Sequence, residues 1–340
     1  MSDSILVTGA TGTVSSEVVK ALASRGLTVR AGVRSIDKAA GLAALHPTVQ
    51  LVELDYARPE TVQAAFAGIT RLFLLTPFTG DQVAICKQLV DAAQQASVQQ
   101  VVLLSGAGAD AQPGTQINHW HRAVEVYLQQ SGLSYTVLRP SGFMQNFLTY
   151  NGDSIRQEDK FYLAIGDGRV NYIDVRDIAA VAAAVLTAPV AAHQGQIYTL
   201  TGPTAVSSPE VAAALSAATG RPISYVAVPG EAAAQALAQA PGWMRNGLLE
   251  LYRLYKAGGA DWVTPTVQEI TQRPPYTIQQ FAQDFRQQFA PTYQVLSGVD
   301  YRRHYRHRPG YGTRICGRRS VSYHSRSSPK LRGSSCPPSG

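Results

Sequence analysis

Residues 4–15 read SILVTGATGTVS, a short apolar strand followed by a turn with glycines at positions 9 and 12. A helical pattern begins directly afterwards and includes Glu17, Val18 and Leu22. Glycines three apart between a strand and a helix let a phosphate approach the backbone, and the unpaired N–H groups of the first helical turn face it. The segment therefore predicts a dinucleotide-binding site, with expected contacts from Gly9, Thr11, Gly12, Thr13 and Val14.

Ser15 stands where the full motif has a third glycine, which would allow the closest packing of helix on strand. A serine is small enough to fit there at some cost. The glycine pair alone also suits a tight strand-to-helix turn that binds nothing, so the neighbouring segments must decide between the two interpretations.

The second predicted strand, residues 27–33, ends at Arg34, and Lys38 follows one helical turn later. In a dinucleotide fold this strand end reads the adenosine ribose. An acidic residue there binds the 2′-hydroxyl of NAD, whereas a guanidinium matches the 2′-phosphate of NADP with two directed hydrogen bonds. Arg34 and Lys38 therefore favour NADP(H), although the same residues would also suit a solvated helix start.

The first half of the chain continues to alternate between strand and helix patterns. The expected elements are a strand at 49–54, a helix at 59–67, a strand at 71–75, a helix at 82–96 and a strand at 100–104. Continuous apolar strands in this rhythm are typical of βαβ units, in which helices cover both faces of a parallel sheet. The sequence thus predicts an α/β protein with a Rossmann-type, doubly wound parallel sheet.

Several candidate cofactor contacts directly follow these strands. The carboxyl ends of parallel strands meet at one edge of the sheet, where ligands of open α/β folds bind. Adenine and nicotinamide are therefore expected along the loops that contain Asp55, Thr76, Pro77 and Ser105. Asp55 is equally suited to cap the helix that begins at Pro59.

Four segments together carry a family resemblance. They read VTGATG at 7–12, VR at 33–34, LRPSGFMQN at 138–146 and YIDVRDIA at 172–179. The set resembles the NmrA-like atypical short-chain dehydrogenases, particularly the NAD(P)H:quinone oxidoreductase type, over about residues 3–290. This resemblance implies a Rossmann domain, a smaller C-terminal α/β substrate lobe, and NADPH in the cleft between them. Because the family contains both reductases and NADP(H)-sensing regulators, the resemblance leaves the function open.

The expected division is an NADP-binding Rossmann domain at 1–150, to which later segments can return, a substrate lobe at 151–290 and a tail at 291–340. Within the second lobe we expect a strand that ends at Asp174 and a helix over residues 177–187. Asp174, Arg176 and Asp177 could belong to a functional site. A helix cap and an ion pair between the lobes explain them more simply.

The helix that carries the active site in ordinary short-chain dehydrogenases lacks its usual residues here. That family uses a Tyr-x-x-x-Lys pair, and alignment on Glu125 puts Ile117 and His121 at the two positions. Isoleucine has no proton to give, so alcohol–ketone chemistry through a tyrosinate is not expected. His121 is the candidate catalytic group, because imidazole exchanges protons near neutral pH. It could instead bridge Glu125 or bind a ribose, and His119 points to another face of the helix.

A quinone would suit such a site, because it accepts hydride directly and its reduced oxygens can take protons from water. The protein then needs an apolar slot with a few polar groups. The expected acceptor contacts are Phe78, Phe143, Met144, Gln145, Asn146 and Tyr150. Phe143 and Met144 would more often be core residues, whereas Gln145 and Asn146 are the stronger candidates in an apolar segment.

The composition, 45% hydrophobic and 16% charged residues in 340, fits a globular protein with a sizeable core. The chain has neither a run of eighteen apolar residues nor a signal-peptide pattern at its start, so we expect a cytoplasmic protein without a membrane span. Cys86 is alone in the body and predicts neither a disulfide framework nor a metal site. The oligomeric state is left open.

The net charge of +7 belongs to the end of the chain. Residues 297–340 contain ten Lys or Arg and one acid, whereas the rest has twenty bases and twenty-two acids. Nucleic acid is therefore not an expected partner of this protein, and only the basic tail leaves such binding open. The tail composition predicts disorder, and its abrupt onset also fits a segment of non-native origin.

Two functions remain from the sequence. The first is an NADPH-dependent reductase that transfers hydride to a quinone or a similar conjugated acceptor. The second is a non-catalytic NADP(H) sensor that acts through a protein partner. The motifs are closer to those of the quinone reductases, which favours the enzyme.

Overall fold

A computed structural model describes residues 4–291 of the chain. In chain order its strands are β1 Ile5–Val7, β2 Val29–Val33, β3 Val49–Glu53, β4 Arg71–Leu74, β5 Gln100–Leu104, β6 Tyr135–Pro140, β7 Lys160–Leu163, β8 Arg169–Val170, β9 Ile197–Leu200, β10 Val206–Ser207 and β11 Ser224–Ala227. Its helices are α1 Thr13–Ala23, α2 Ala40–Ala43, α3 Pro59–Phe66, α4 Gln82–Gln95, α5 Gln116–Gln130, α6 Asn146–Thr149, α7 Gly152–Glu158, α8 Val175–Thr187, α9 Val190–His193, α10 Ser208–Thr219, α11 Gly230–Ala236, α12 Gly242–Lys256, α13 Thr266–Thr271 and α14 Ile278–Asp284.

The main sheet has seven strands in the order β3-β2-β1-β4-β5-β6-β9, and all of its neighbouring pairs are parallel. The chain first moves outward from β1 to β3 and then returns to β4 on the other side of β1. Ile5 accordingly pairs with Val29 on one side and with Arg71 on the other. The switch point of a doubly wound sheet therefore lies at the carboxyl end of β1, where the glycine turn begins.

Helices cover both faces of this sheet because its strands are apolar on both sides. Ile5 and Val7 of β1 belong to one buried cluster, together with Val18 of α1. Leu6, which points the opposite way along the same strand, packs in a second cluster with Phe66 of α3. Helix α8 packs beside α1 on the first face, and α4 and α5 lie on the second. The doubly wound α/β fold expected from the sequence is confirmed.

Two small sheets lie outside the main one, a parallel pair of β7 with β11 and an antiparallel pair of β8 with β10. A third apolar cluster joins them to the surrounding helices and contains Phe147, Phe161 and Phe281. Strand β9 returns to the main sheet beside β6, with Ile197 opposite Val137. The division near residue 150 stays a prediction, and the chain after it contributes both to the main sheet and to the smaller layer.

The strand that was expected to end at Asp174 is shorter, because β8 ends at Val170. Asp174 instead caps α8, where its carboxylate accepts a hydrogen bond from the backbone N–H of Arg176 at 2.9 Å. The helix therefore begins at Val175, two residues earlier than predicted. Residues 292–340, on which the tail interpretation rests, lie outside the described residues.

Candidate active site

The glycine turn leaves the amino end of α1 open. Gly9 has φ +58°, a left-handed conformation that favours glycine, and Gly12 donates its N–H to the Gly9 carbonyl at 2.8 Å. A Cβ at Gly12 would lie 3.1 Å from that carbonyl oxygen. Helix α1 has neither a capping side chain nor an acidic residue in its first turn. Its first N–H groups are thus available to an anion.

Ser15 takes the place of the third glycine without leaving a polar group unsatisfied. The residue is fully buried, and its hydroxyl donates to the carbonyl of Thr8 at 2.9 Å. This hydrogen bond ties the first turn of α1 to the end of β1. The substitution is therefore compatible with the close helix-to-strand packing of a dinucleotide turn.

The loop after β4 is bound to the glycine turn through Thr8. The Thr8 hydroxyl donates to the carbonyl of Leu75 at 2.7 Å and accepts from its N–H at 2.8 Å. Leu75 also lies 3.4 Å from the position that a Cβ at Gly9 would take. Thr76 and Pro77, both half-buried, follow at once along this edge. The structure thus brings these two predicted contacts close to the expected phosphate position.

Arg34 and Lys38 are exposed beyond the end of β2. Within residues 4–291 the Arg34 guanidinium has no hydrogen bond or ion pair, and its charge contributes to the lowered pKa of Asp55. The larger causes of that lowering are the N–H of Ala57, at 3.1 Å from the carboxylate, and Arg58. Asp55 is not the cap of α3, because Arg58 holds that position.

Tyr56 is a site residue that the sequence did not single out. Its hydroxyl lies 4.0 Å from the position of a Cβ at Gly9, and burial raises its pKa to about 12. The neutral phenol therefore forms one wall of the glycine turn. Its place directly after Asp55, at the carboxyl end of a strand, was the available signal.

Ser105 lies at the carboxyl end of β5 but turns its hydroxyl inward. It donates to Glu125 at 2.6 Å, and Arg139 binds both oxygens of the same buried carboxylate at 2.8 and 2.7 Å. Asp110 adds a second ion pair to Arg139 at 2.8 Å. Burial works against ionisation of Glu125, but these partners hold its pKa below the ordinary value. The Ser105 side chain thus serves an internal network, which differs from the cofactor role expected for it.

His121 lies on the backbone of the loop that follows Ser105. Its Cδ2 and Nε2 atoms are 2.9 and 3.0 Å from where a Cβ at Gly106 would be, so the glycine makes room for the ring. Burial lowers the pKa of His121 to about 4, which leaves the imidazole neutral at pH 7. The bridge from His121 to Glu125, one of the alternatives left open, is absent from the described residues, and that carboxylate is bound to Ser105, Arg139 and Arg122.

Helix α12 covers Ile117, the residue that was expected at the tyrosine position. Ile117 has its Cγ1 and Cδ1 atoms 2.9 Å from where a Cβ at Gly247 would stand. The carboxylate of Glu250 accepts the backbone N–H of Gln116 at 2.7 Å, which ties the same helix to the start of α5. Ile117 therefore takes part in an apolar contact between α5 and α12.

Aromatic rings from α5, α12 and the loop after β4 pack together next to this helix contact. The rings of Phe78 and Trp243 lie 5.0 Å apart, edge to face, and Trp243 lies 5.5 Å from Trp120. Phe78 is 41% exposed, so part of its ring is open to a ligand. The two tryptophans were not among the predicted contacts, because nothing local in the sequence shows that α12 lies against α5.

The predicted acceptor segment divides into two groups. Met144 is buried in the third apolar cluster, and Gln145 donates to Asp174 at 2.9 Å and accepts from the N–H of Val175 at 3.1 Å. The Gln145 side chain thus holds the start of α8, a different role from the one expected, whereas Met144 takes the core position that was the alternative for it. Phe143 and Asn146 are half-buried and Tyr150 is 77% exposed, so these three stay candidate contacts.

The other charged pair singled out in the sequence has a structural role. Arg176 binds Asp174 at 2.7 Å and also binds Asp284 of α14 at 2.7 Å. Its guanidinium stacks on Tyr276, 3.9 Å from the ring centre. Asp174 thus caps α8 and Arg176 links this helix to α14, in line with the simpler interpretation, while the assignment of the ion pair to two separate lobes stays a prediction.

These features define a Rossmann-type dinucleotide-binding protein. A glycine cradle that a Cβ would crowd, an uncapped helix start and the unpaired, exposed Arg34 together fit a phosphorylated dinucleotide. The chain belongs to the NmrA-like family, whose sequence model matches residues 1–281.

Two relatives and one solved structure are similar to this chain over most of its length. An NAD(P)H azoreductase from Xenophilus azovorans is 42% identical over 280 residues, covering 82% of this chain and 96% of the relative. Quinone oxidoreductase 2 from Escherichia coli is 30% identical over 224 residues, covering 65% and 76%. The crystal structure of an NADPH-dependent quinone oxidoreductase from Escherichia coli, complexed with NADPH, has a TM-score of 0.73 at 26% identity, covering 83% of this chain and 99% of that one. No helix within residues 4–291 is both long and apolar enough to cross a membrane.

Proposed function

We propose that this chain is an NADPH-dependent reductase that transfers hydride to a quinone or a similar conjugated acceptor. The observation that carries the proposal is the contact of Ile117 with Gly247, which fills the tyrosine position with apolar atoms. A substrate that must receive a proton from the protein in each turnover would find no tyrosine at this position to donate it. A conjugated acceptor takes the hydride without one.

The coarser class is an NAD(P)H-dependent oxidoreductase, and NADP(H) is its cofactor. Arg34 favours the phosphorylated form, since a free guanidinium at the end of β2 can bind a 2′-phosphate through two hydrogen bonds. When bound, NADPH supplies the hydride from C4 of its nicotinamide. The azoreductase and quinone oxidoreductase relatives support an acceptor with conjugated N=N or C=O bonds.

The residues of this chain would mainly position the two reactants. Gly9, Gly12 and the start of α1 hold the phosphates, and Phe78 and Trp243 supply an apolar surface beside the loop after β4. The reduced acceptor takes its proton from water, so that one hydride and one proton convert a quinone to a hydroquinone. Catalysis then comes mostly from proximity and orientation.

His121 would act in this site as a neutral imidazole. With its pKa lowered to about 4, very little imidazolium is present at pH 7, which makes His121 a poor proton reservoir. It can still donate or accept one hydrogen bond toward a ribose or an acceptor oxygen. We therefore expect His121→Gln to lower turnover without introducing or removing a kinetic pKa near 6.5.

The test is NADPH oxidation by the full chain with a panel of benzoquinones and naphthoquinones and an azo dye, and with NADH as the control. Turnover that prefers NADPH is the expected result. Tight NADPH binding without turnover of any of these acceptors would contradict the proposal and favour a sensor.

A further inference from the structure

Helix α12 brings one phenol to the same edge of the sheet that would hold the reactants. Its contacts run along the helix from Trp243 on Phe78, through Gly247 on Ile117, to Tyr255. The Tyr255 hydroxyl lies 2.9 Å from where a Cβ at Gly142 would be. Because residue 142 follows β6 by two positions, this hydroxyl lies near the carboxyl end of a strand of the main sheet.

Gly106 and Gly142 follow the neighbouring strands β5 and β6, which pair in parallel. The imidazole of His121 rests on the first glycine and the phenol of Tyr255 on the second. Adjacent strands lie about 5 Å apart, so the two side chains flank one stretch of the edge. In both places the missing Cβ provides the room that the polar group occupies.

The Tyr255 hydroxyl has no hydrogen-bond partner within residues 4–291, although the residue is only partly exposed. Tyr225, which packs against the same apolar cluster, is bonded by contrast: its hydroxyl donates to the carbonyls of Leu163 and Gly166, both at 3.1 Å. A phenol in an enclosed position normally finds a partner. A ligand atom at this edge would supply one.

We propose that Tyr255 donates a hydrogen bond to the acceptor oxygen on which negative charge develops, and so helps to select acceptors with a carbonyl oxygen. Burial raises the pKa of Tyr255, so the phenol stays protonated and acts as a donor throughout the working pH range. The acceptor gains one hydride and one proton from water, while Tyr255 keeps its own proton. The inference rests on the proposed reductase function.

The experiment compares Tyr255→Phe with Tyr252→Phe in the full chain. The first variant removes only the hydroxyl and retains the ring. The second removes a hydroxyl from the preceding turn of the same helix, near Tyr150. Two quantities are measured, kcat/KM for a naphthoquinone and the Kd of that quinone for the protein saturated with NADP⁺, followed by quenching of tryptophan fluorescence.

Tyr255→Phe should lower kcat/KM about 10-fold to 100-fold and raise the quinone Kd by roughly 3-fold to 10-fold. NADPH affinity should stay within about 2-fold, and Tyr252→Phe should behave like the wild type in both measurements. Unchanged quinone Kd and kcat/KM in Tyr255→Phe would overturn the proposal, as would equal losses in both variants. If the wild type reduces no acceptor, the proposed function fails, and the quinone Kd alone still decides whether Tyr255 contacts the oxygen.

Discussion

Ile117 of α5 lies directly against the bare Cα of Gly247 in α12, with two of its side-chain carbons 2.9 Å from where a Cβ would be. The contact joins α5, where Ile117 was expected at the tyrosine position, to α12. A tyrosine at position 117 would need the space that α12 now fills. The apolar residue at position 117 and the close helix crossing are therefore parts of one arrangement.

The contact predicts a coupling between the two positions. Gly247→Ala should stabilise α12 by about 1 kcal/mol through its higher helix propensity, but crowding of the new Cβ against Ile117 should cancel this gain in the free energy of unfolding. In an Ile117→Ala background the crowding disappears. The free energy of unfolding of the double variant should therefore be about 1 kcal/mol higher than the sum of the two single-variant changes predicts. Urea unfolding of the four proteins measures this coupling.

Gly242→Ala is the matched control, because nothing lies within 4 Å of the Cβ it would add to the same helix. It should show no coupling to Ile117→Ala. Additive free energies at positions 117 and 247 would contradict the close contact.

The cofactor preference depends on Arg34. Arg34→Asp should raise the Kd for NADPH about 100-fold, because two charge-assisted hydrogen bonds to the 2′-phosphate are replaced by repulsion. The Kd for NADH should change by less than about 3-fold. Fluorescence titration with both nucleotides measures the difference, with Arg25→Asp, an exposed arginine beyond the carboxyl end of α1, as the control. Equal losses for the two nucleotides would show that Arg34 does not read the phosphate.

The buried ion pair of Glu125 with Arg139 predicts a large stability loss when one partner is removed. Glu125→Gln leaves the Arg139 charge buried and only partly paired, which should cost about 3 kcal/mol. Arg122 reaches the same carboxylate from a 41% exposed position at 3.3 Å. Arg122→Gln should therefore cost less than about 1 kcal/mol. Equilibrium denaturation compares the two, and losses of similar size would argue against a dominant inner pair.

The lowered pKa of His121 predicts a pH-dependent contribution to stability. Its value falls from 6.5 to about 4 on folding, so the unfolded chain binds the proton first as pH decreases. Protonation of His121 therefore does not reduce the free energy of unfolding above pH 6.5. As the pH falls from 6.5 toward about 4, the free energy of unfolding decreases by up to roughly 3 kcal/mol. His121→Gln should remove this dependence, which the difference between variant and wild-type unfolding free energies isolates. A difference that stays constant over this pH range would mean that His121 titrates normally.

The local sequence was sufficient to predict those parts of the candidate site that are built from residues close together in the chain. The turn at Gly9 and Gly12 and the helix after it lie within a few residues, so their spacing, together with Arg34 at the end of the next strand, predicted an anion site. Asp55, Thr76 and Pro77 were expected at one edge because strand ends converge in a parallel sheet. The roles of Ser105 and Gln145 were not predictable, because each depends on a partner that folding brings from another element, Glu125 and Asp174 respectively.

The sequence by itself determined the doubly wound sheet, the glycine turn before α1 and the guanidinium at the end of β2, because these follow from apolar periodicity and short-range backbone geometry. Only the tertiary structure decided what surrounds the reacting edge. It placed Gly247 on Ile117 and Tyr255 on Gly142, pairs that are far apart in the chain. Such contacts depend on how α12 packs against α5 and the loop after β6. The local sequence of either segment does not show which residue of the other will lie against it.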